Sequence, residues 1–387
     1  MSNGLEKYPK LRFPGFEEPY KQCRIGDIYA ERGQRGTSDM ELLSVTMNDG
    51  IIPRSEIEGK DNSSEDKSNY KIVHKGDMVY NSMRMWQGAN GVSLYEGIVS
   101  PAYTVLMPKQ PISNGYFAAL FKSPNIINEF RKNSQGLTSD TWNLKYPQIK
   151  AIKVLIPSLS EQEKIADMIA ILEKRIAKQA QLVDIFKKYK RGVLFATFDK
   201  NKNICSWDTT QYPFSELAIR RNEKYDPRSG KLMPCIELEH IEQETGRIIG
   251  NVPSIQQNSI KNICKTGDIL FGKLRPYLRK YAYIQKDMVC SSEIWSLIPS
   301  EILIPEYLFY LVQTDEFIRV ANVGSGTKMP RAEWSNVKKA VFYIPNKNIQ
   351  VQIVQLLRRI DMKILGAVDL CEKLHFIKKG LLQQLFI

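Results

Sequence analysis

The chain has 387 residues, 43% of them apolar and 25% charged, enough for two or three globular domains. No window approaches about eighteen uninterrupted apolar residues and the opening MSNGLEKYPKLRFPGF has no apolar centre, so neither a transmembrane helix nor a secretory leader is expected. Lysine and arginine number 55 against 42 acids, a formal charge of +13 that favours polyanionic partners without specifying which sequence they carry.

The chain says most things twice. KGDMVYNSMR (Lys75–Arg84) aligns with TGDILFGKLR (Thr266–Arg275), and VSPAYTVLMP (Val99–Pro108) with CSSEIWSLIP (Cys290–Pro299). Further on, LIPSLSEQEKIADMIAILEKRIAKQ (Leu155–Gln179) aligns with YIPNKNIQVQIVQLLRRIDMKILGA (Tyr343–Ala367). Lys190-Arg191-Gly192, Leu194 and Phe198 return as Lys378-Lys379-Gly380, Leu382 and Phe386.

In chain order, the first repeat offers a basic loop, Arg32-Gly33-Gln34-Arg35, then β-rich runs at Ile72–Tyr80 and Tyr103–Met107. Between those runs lies the loop Arg84–Asn90, carrying Arg84, Trp86, Gln87 and Asn90. One helix is expected around Tyr116–Arg131, followed by a polar loop with Gln135, Thr138 and Ser139. After Ile156-Pro157 the pattern becomes a single long helix, with Ser160 and Glu163 spaced as a capping box. Its apolar positions are Ile165, Met168, Leu172, Leu182, Phe186, Tyr189 and Val193, widened by Ile169, Ile176 and Val183.

The second repeat gives basic residues at Arg220 and Arg221, β-rich runs at Ile269–Phe271 and Trp295–Ile298, and the loop holding Lys273, Arg275, Tyr277, Arg279 and Lys280. A helix around Glu306–Ala321 precedes a loop with Ser325, Lys328 and Arg331. The second long helix follows Ile344-Pro345 with Ile353, Leu356, Ile360, Leu370, Leu374, Ile377 and Leu381. Polar interruptions at Arg175, Gln179 and Lys363 are placed to fix register.

A helix of about 39 residues is about 58 Å long and cannot leave its apolar stripe in water, so its twin is the expected partner. Connectivity favours an antiparallel pair, because the second helix departs from a domain fed by the end of the first. Ile165, Leu172, Phe186 and Val193 are expected opposite Ile353, Ile360, Leu374 and Leu381. Leu381, Leu382, Leu385 and Phe386 then return to the first domain. The repeated glycine suggests close backbone approach, since glycine inside a helix costs about 1 kcal/mol relative to alanine.

The fold expected is α+β, two α/β domains in tandem, each followed by a long helix, with pseudo-twofold symmetry. Boundaries fall at 1–157, 158–199, 200–345 and 346–387. No P-loop, dinucleotide fingerprint or amino-methylation motif is present, and His74, His240 and His375 share no ligand spacing. Glu237, Glu239 and Glu242 alternate with apolar residues, which reads as a solvated strand face. The cysteines Cys23, Cys205, Cys235, Cys264, Cys290 and Cys371 show no C-x-x-C spacing and are expected to be free thiols in the cytoplasm. The chain is therefore expected to catalyse nothing and to bind no metal or cofactor itself. Arginine and lysine suit guanine edges and phosphates, and asparagine and glutamine suit adenine, so the matched loops are candidate DNA readers.

The opening YPKLRFPGF (Tyr8–Phe16), the two Gly-Asp strand entries (Gly76-Asp77 and Gly267-Asp268), the helix start at Ile156–Ala166 and the repeated K-[RK]-G-x-L endings together resemble the specificity subunits of type I restriction-modification systems. The second helix start, NIQVQI, departs from the usual Glu-Gln pair. The resemblance implies two target recognition domains, each reading half of a bipartite site in double-stranded DNA, with the helices as spacer. It also implies two methyltransferase (modification) subunits bringing S-adenosylmethionine, and restriction subunits using ATP and magnesium. A methylation-only or other phage-defence complex, and a coiled-coil scaffold that reads no DNA, are the alternatives.

Overall fold

A computed structural model describes residues 8–46, 50–57, 59, 63–198, 207–323 and 329–387. The chain divides into two units, residues 1–179 with 370–387, and residues 180–369.

Both units are built on one plan. In the first, a four-stranded antiparallel sheet runs in the order Tyr29–Glu31, Tyr103–Pro108, Met78–Asn81, Asn90–Val92. In the second the order is Ala218–Arg220, Ile294–Pro299, Ile269–Gly272, Tyr281–Tyr283. Each unit adds a second strand system. Lys71–Val73 pairs with Gly97–Val99 in the first unit, and a five-stranded sheet around Lys261–Cys264 and Met288–Cys290 forms in the second. Each also has a ribbon that joins the start of the repeat to the foot of its long helix: Lys21–Arg24 against Lys153–Ile156, and Thr209–Pro213 against Val341–Pro345.

The Gly-Asp pairs explain how a β-run splits into two strands. In each unit the Asp N–H returns to the carbonyl three residues back (Asp77 to His74, Asp268 to Lys265, both 3.0 Å), closing a turn with glycine in third place. Gly76 and Gly267 have φ of +94° and +93°, which the type II turn requires there. The carboxylates then accept the N–H of His74 (2.8 Å) and of Lys265 (2.9 Å). A bidentate arginine completes each turn. Arg32 reaches Asp77 at 2.7 and 3.0 Å, and Arg221 reaches Asp268 at 2.7 and 2.8 Å.

Each single helix expected before the long one is two helices. Asn114–Leu120 is followed by Pro124–Asn133, where Pro124 cannot continue the preceding ladder. Pro305–Leu311 is followed by Asp315–Ala321, whose N-cap Thr314 accepts from the Phe317 N–H at 3.2 Å. Leu238–His240 is a 3-10 turn and Glu237 pairs with Lys261 at 2.6 Å, so the acids there do not lie along a strand.

The long helices span Leu159–Phe198 and Lys347–Leu385. The first starts earlier than expected, so Ser160 lies in its first turn and the carbonyl of Ser158 receives the opening bonds. The buried Gln162 side chain accepts the Ser113 N–H (3.2 Å) and donates to the Pro157 carbonyl (3.0 Å). Gln350 repeats this, accepting from Ile304 and donating to Pro345 at 3.0 and 2.9 Å. The second helix start therefore retains the glutamine's function and lacks only the glutamate. That glutamate, Glu161, is buried and paired with Arg12 of the opening segment at 2.8 Å.

Inside each unit the helices run antiparallel. In the first, Ile165 and Ile169 share a core with Leu382, Leu385 and Phe386, and Lys378 pairs with Glu173 at 2.6 Å. In the second, Leu194 and Phe198 share a core with Ile353, Val354 and Leu357, and Lys190 pairs with Asp361 at 2.7 Å.

The heptad phase follows these pairs. Ile165, Leu172, Phe186 and Val193, and Ile353, Ile360, Leu374 and Leu381, are buried or half-buried on it. Leu182, Tyr189, Leu356, Leu370 and Ile377 face outward instead. Arg175 and Lys363 are exposed, so only Gln179 of the expected polar interruptions is half-buried. Away from the helix starts, where Glu161, Gln162 and Gln350 are buried, Lys190 is a buried polar residue on the inner face. Gly192 and Gly380 meet nothing within 4 Å of a built Cβ, so close approach is not why they are there.

Candidate nucleic-acid interface

In each unit the loop after the second central strand is stitched to the loop before the short helix that precedes the ribbon. The Leu144 N–H donates to the Ser82 carbonyl at 2.8 Å, and in the second unit the Ala332 N–H donates to the Lys273 carbonyl at 2.8 Å. These bonds occupy matching places in the repeat and bring two candidate reader loops to one edge of each domain.

The first unit's pair is Asn81–Asn90 with Ser134–Leu144. Met85–Gln87 forms one 3-10 turn, ended by Gly88 at φ +88°. Arg84 and Gln87 are exposed on it. Trp86 is half-buried; its ring lies edge-on to Trp142 of the other loop at 5.1 Å, and its indole donates to the Met83 carbonyl at 3.1 Å. The Arg131 guanidinium stands 5.8 Å from the Trp86 ring. Gln135, Thr138 and Ser139 are exposed on the second loop. Asn90 does not join them. It is fully buried, donating to the carbonyls of Gly88 (3.1 Å) and Phe121 (3.4 Å).

In the second unit the corresponding turn is Pro276–Leu278, flanked by Arg275 (φ +52°) and Arg279 (φ +50°). A left-handed non-glycine residue costs about 1–2 kcal/mol, so the surroundings must hold both. The Arg275 N–H bonds the Pro330 carbonyl at 2.8 Å, leaving its guanidinium exposed beside exposed Tyr277. Arg279 is anchored by its side chain to the Gln313 carbonyl (2.9 Å) and to Asp315. Lys280 donates to the Leu238 carbonyl at 2.6 Å, and Arg331 pairs with Glu293 at 3.1 Å. Lys273 is half-buried. Ser325 and Lys328 lie outside the described residues.

The remaining expected readers sit elsewhere. Arg32 and Arg221 are committed to the Gly-Asp turns; the hydrogen bonds to Asp77 and Asp268 raise both arginine pKa values against partial desolvation. Gln34 and Arg35 are exposed beside Lys71–Val73, with the Ile72 N–H on the Gln34 carbonyl at 3.0 Å and the Arg35 guanidinium on the Asn69 carbonyl. Sequence reasoning did not single out Arg131 or Trp142.

Tandem α+β domains with paired polar loops at matching edges define a duplicated recognition protein, without a metal-ligating cluster among the described residues. A family model described as the type I restriction modification DNA specificity domain matches residues 17–185 and again 178–367, and the chain belongs to that family, as a specificity subunit. It is 22% identical over 320 residues to the type I restriction enzyme MjaVIII specificity subunit of Methanocaldococcus jannaschii, covering 75% of this chain and 73% of that one. It is 24% identical over 287 residues to the EcoDI specificity subunit of Escherichia coli, covering 64% and 62%. Among solved structures, a chain described under complex assembly and conformational transition of the type I R-M system superposes with a TM-score of 0.60 at 13% identity, covering 96% of this chain and 98% of that one. The S subunit of a type I restriction-modification system from M. genitalium gives 0.56 at 15%, covering 98% and 99%. At these identities the structural likeness concerns the fold. No helix among the described residues is long and apolar enough to cross a membrane.

Proposed function

We propose that each unit reads one half of a bipartite sequence in double-stranded DNA through its stitched loop pair, and that the chain itself catalyses nothing. The observation that carries this is the matched backbone bond, Leu144 to Ser82 and Ala332 to Lys273, which fixes two loops of different sequence at the same place in each repeat. A common scaffold with divergent loops suits two different half-site specificities. The exposed readers are then Arg84, Gln87, Gln135, Thr138 and Ser139 in one domain, and Arg275, Tyr277 and Arg331 in the other.

The long helices serve as spacer and dock. A 40-residue helix is about 60 Å, or about 18 base-pair rises at about 3.4 Å. Outward-facing Ile171, Ile185, Tyr189, Met362 and Phe376, between 57% and 77% exposed, supply apolar surface for methyltransferase subunits. S-adenosylmethionine, and ATP with magnesium, are assigned to those partners and to restriction subunits.

The test is to co-express the chain with its methyltransferase and map methylated adenines in host DNA. A split motif that depends on this gene is expected, and exchanging residues 207–345 for those of another specificity subunit should change one half of it only. A contiguous motif, or none, defeats the proposal.

A further inference from the structure

Leu137 is 101% exposed, the most exposed large apolar side chain among the described residues. It stands on the Ser134–Leu144 loop, a fixed hairpin, immediately before the Thr138–Thr141 turn that closes it. Gln135 and Asn143 exchange both backbone bonds, at 3.0 and 2.8 Å. The Thr138 carbonyl receives the Thr141 N–H and hydroxyl at 3.0 and 2.9 Å. Gly136 has φ +147°, and a Cβ there would meet the Thr141 carbonyl group at 2.7 Å.

The hairpin therefore holds Leu137 out, although an aromatic pair that could have covered it, Trp86 and Trp142, lies on the same two loops. Around it Gln135, Thr138 and Ser139 are exposed and suited to phosphates or base edges, exposed Asp140 in the turn suits the amino group of cytosine, and the adjoining loop presents Arg84. An apolar side chain held out among polar groups on a braced hairpin has the form of a wedge that enters between stacked bases.

We infer that Leu137 inserts into the DNA half-site read by the first unit, partly unstacking one base step, so that this unit selects deformable sequence as well as base edges. Pyrimidine–purine steps, which unstack most readily, are the class it takes. The inference rests on the DNA reading proposed above.

The experiment uses the full chain assembled with its methyltransferase subunits and a duplex bearing the mapped motif, with 2-aminopurine scanned through the first unit's half-site. With wild type, fluorescence at one step should rise about threefold or more over the free duplex. Leu137→Ala should abolish that rise and weaken binding about tenfold while keeping the footprint, and Leu137→Phe should restore the signal. A footprint with no unstacked step overturns the wedge and leaves the DNA reading intact. A rise equal in wild type and Leu137→Ala belongs to a partner subunit and also overturns it. Absence of any footprint on the motif overturns the DNA reading, and the wedge with it.

Discussion

Removing the Arg32 guanidinium leaves the Asp77 carboxylate, 3% exposed, without its cation, while the backbone turn still aims at it. Uncompensated buried charge of this kind costs about 3 kcal/mol or more, so Arg32→Ala should lower unfolding free energy by that order in a denaturant titration. Arg84, exposed on its loop, is the contrasting case. Arg84→Ala should leave stability within about 0.5 kcal/mol. It should instead cost about 1–3 kcal/mol of DNA affinity and relax one motif position, if Arg84 contacts a base. Charge type alone did not separate the two arginines in the sequence; the Gly-Asp turn each repeat folds around did. The same distinction applies to Asn90, whose amide is consumed by two carbonyls. At Gly192 and Gly380 a methyl group enters open space on a helix, so alanine at either should add about 0.5–1 kcal/mol of stability, read from the same titration.

Among elements, the helix pair shows what periodicity can decide. The inner positions from Ile165 to Leu381 were legible because apolar residues recur there at steps of seven. Leu182, Tyr189, Leu356, Leu370 and Ile377 recur almost as regularly on the outer face. Which of two apolar stripes meets the partner helix is settled by packing, and one sequence does not contain that comparison. The basic pair in each repeat hid an inner-face residue for the same reason. Lys190 is 4% exposed, its ammonium 2.7 Å from Asp361 and 5.4 Å from the Tyr310 ring centroid, and the Tyr310 hydroxyl donates to Asp361 at 2.8 Å.

Burial pushes the Lys190 pKa down, with Asp361 opposing. A lysine whose folded-state pKa lies below its unfolded value contributes most stability above the unfolded value. That contribution falls as pH drops through the folded one, so at neutral pH the charged form is held at a cost. Lys190→Met removes that cost but takes the cation from Asp361, which is 26% exposed and keeps the Tyr310 hydroxyl, so the net loss should be about 1–3 kcal/mol, and Lys190→Met with Asp361→Leu should recover most of it. An equal loss in single and double variants would show that the pair does not act as a unit.

For the molecule as a whole, the duplication, the α+β class and the return of the final helix to the first domain were legible from repeat landmarks. The reader loops were legible as regions but not as contacts, because their conformation is set by backbone bonds such as Arg275 to Pro330 that composition does not encode. The return of the helix has a direct test. Leu382, Leu385 and Phe386 lie in the first unit's core, where Phe386 packs on Tyr116 at 5.3 Å and Asn125 donates to its carbonyl at 3.2 Å. Deleting residues 380–387 removes three large buried side chains worth about 2–5 kcal/mol each. Hydrogen exchange should then rise through residues 8–157 and stay unchanged through 207–345.

Phe198 does for the second unit what Phe386 does for the first, packing on Tyr307 at 4.9 Å, but the two anchors leave the ribosome at very different times. The second unit has all its parts once residue 369 is made. The first, although synthesised earlier, waits for the last stretch of the chain. Nascent chains arrested with residue 369 just outside the exit tunnel should resist protease across 207–345 while 8–157 remains open to it. Synthesis thus runs first to last, and domain closure runs in the opposite order.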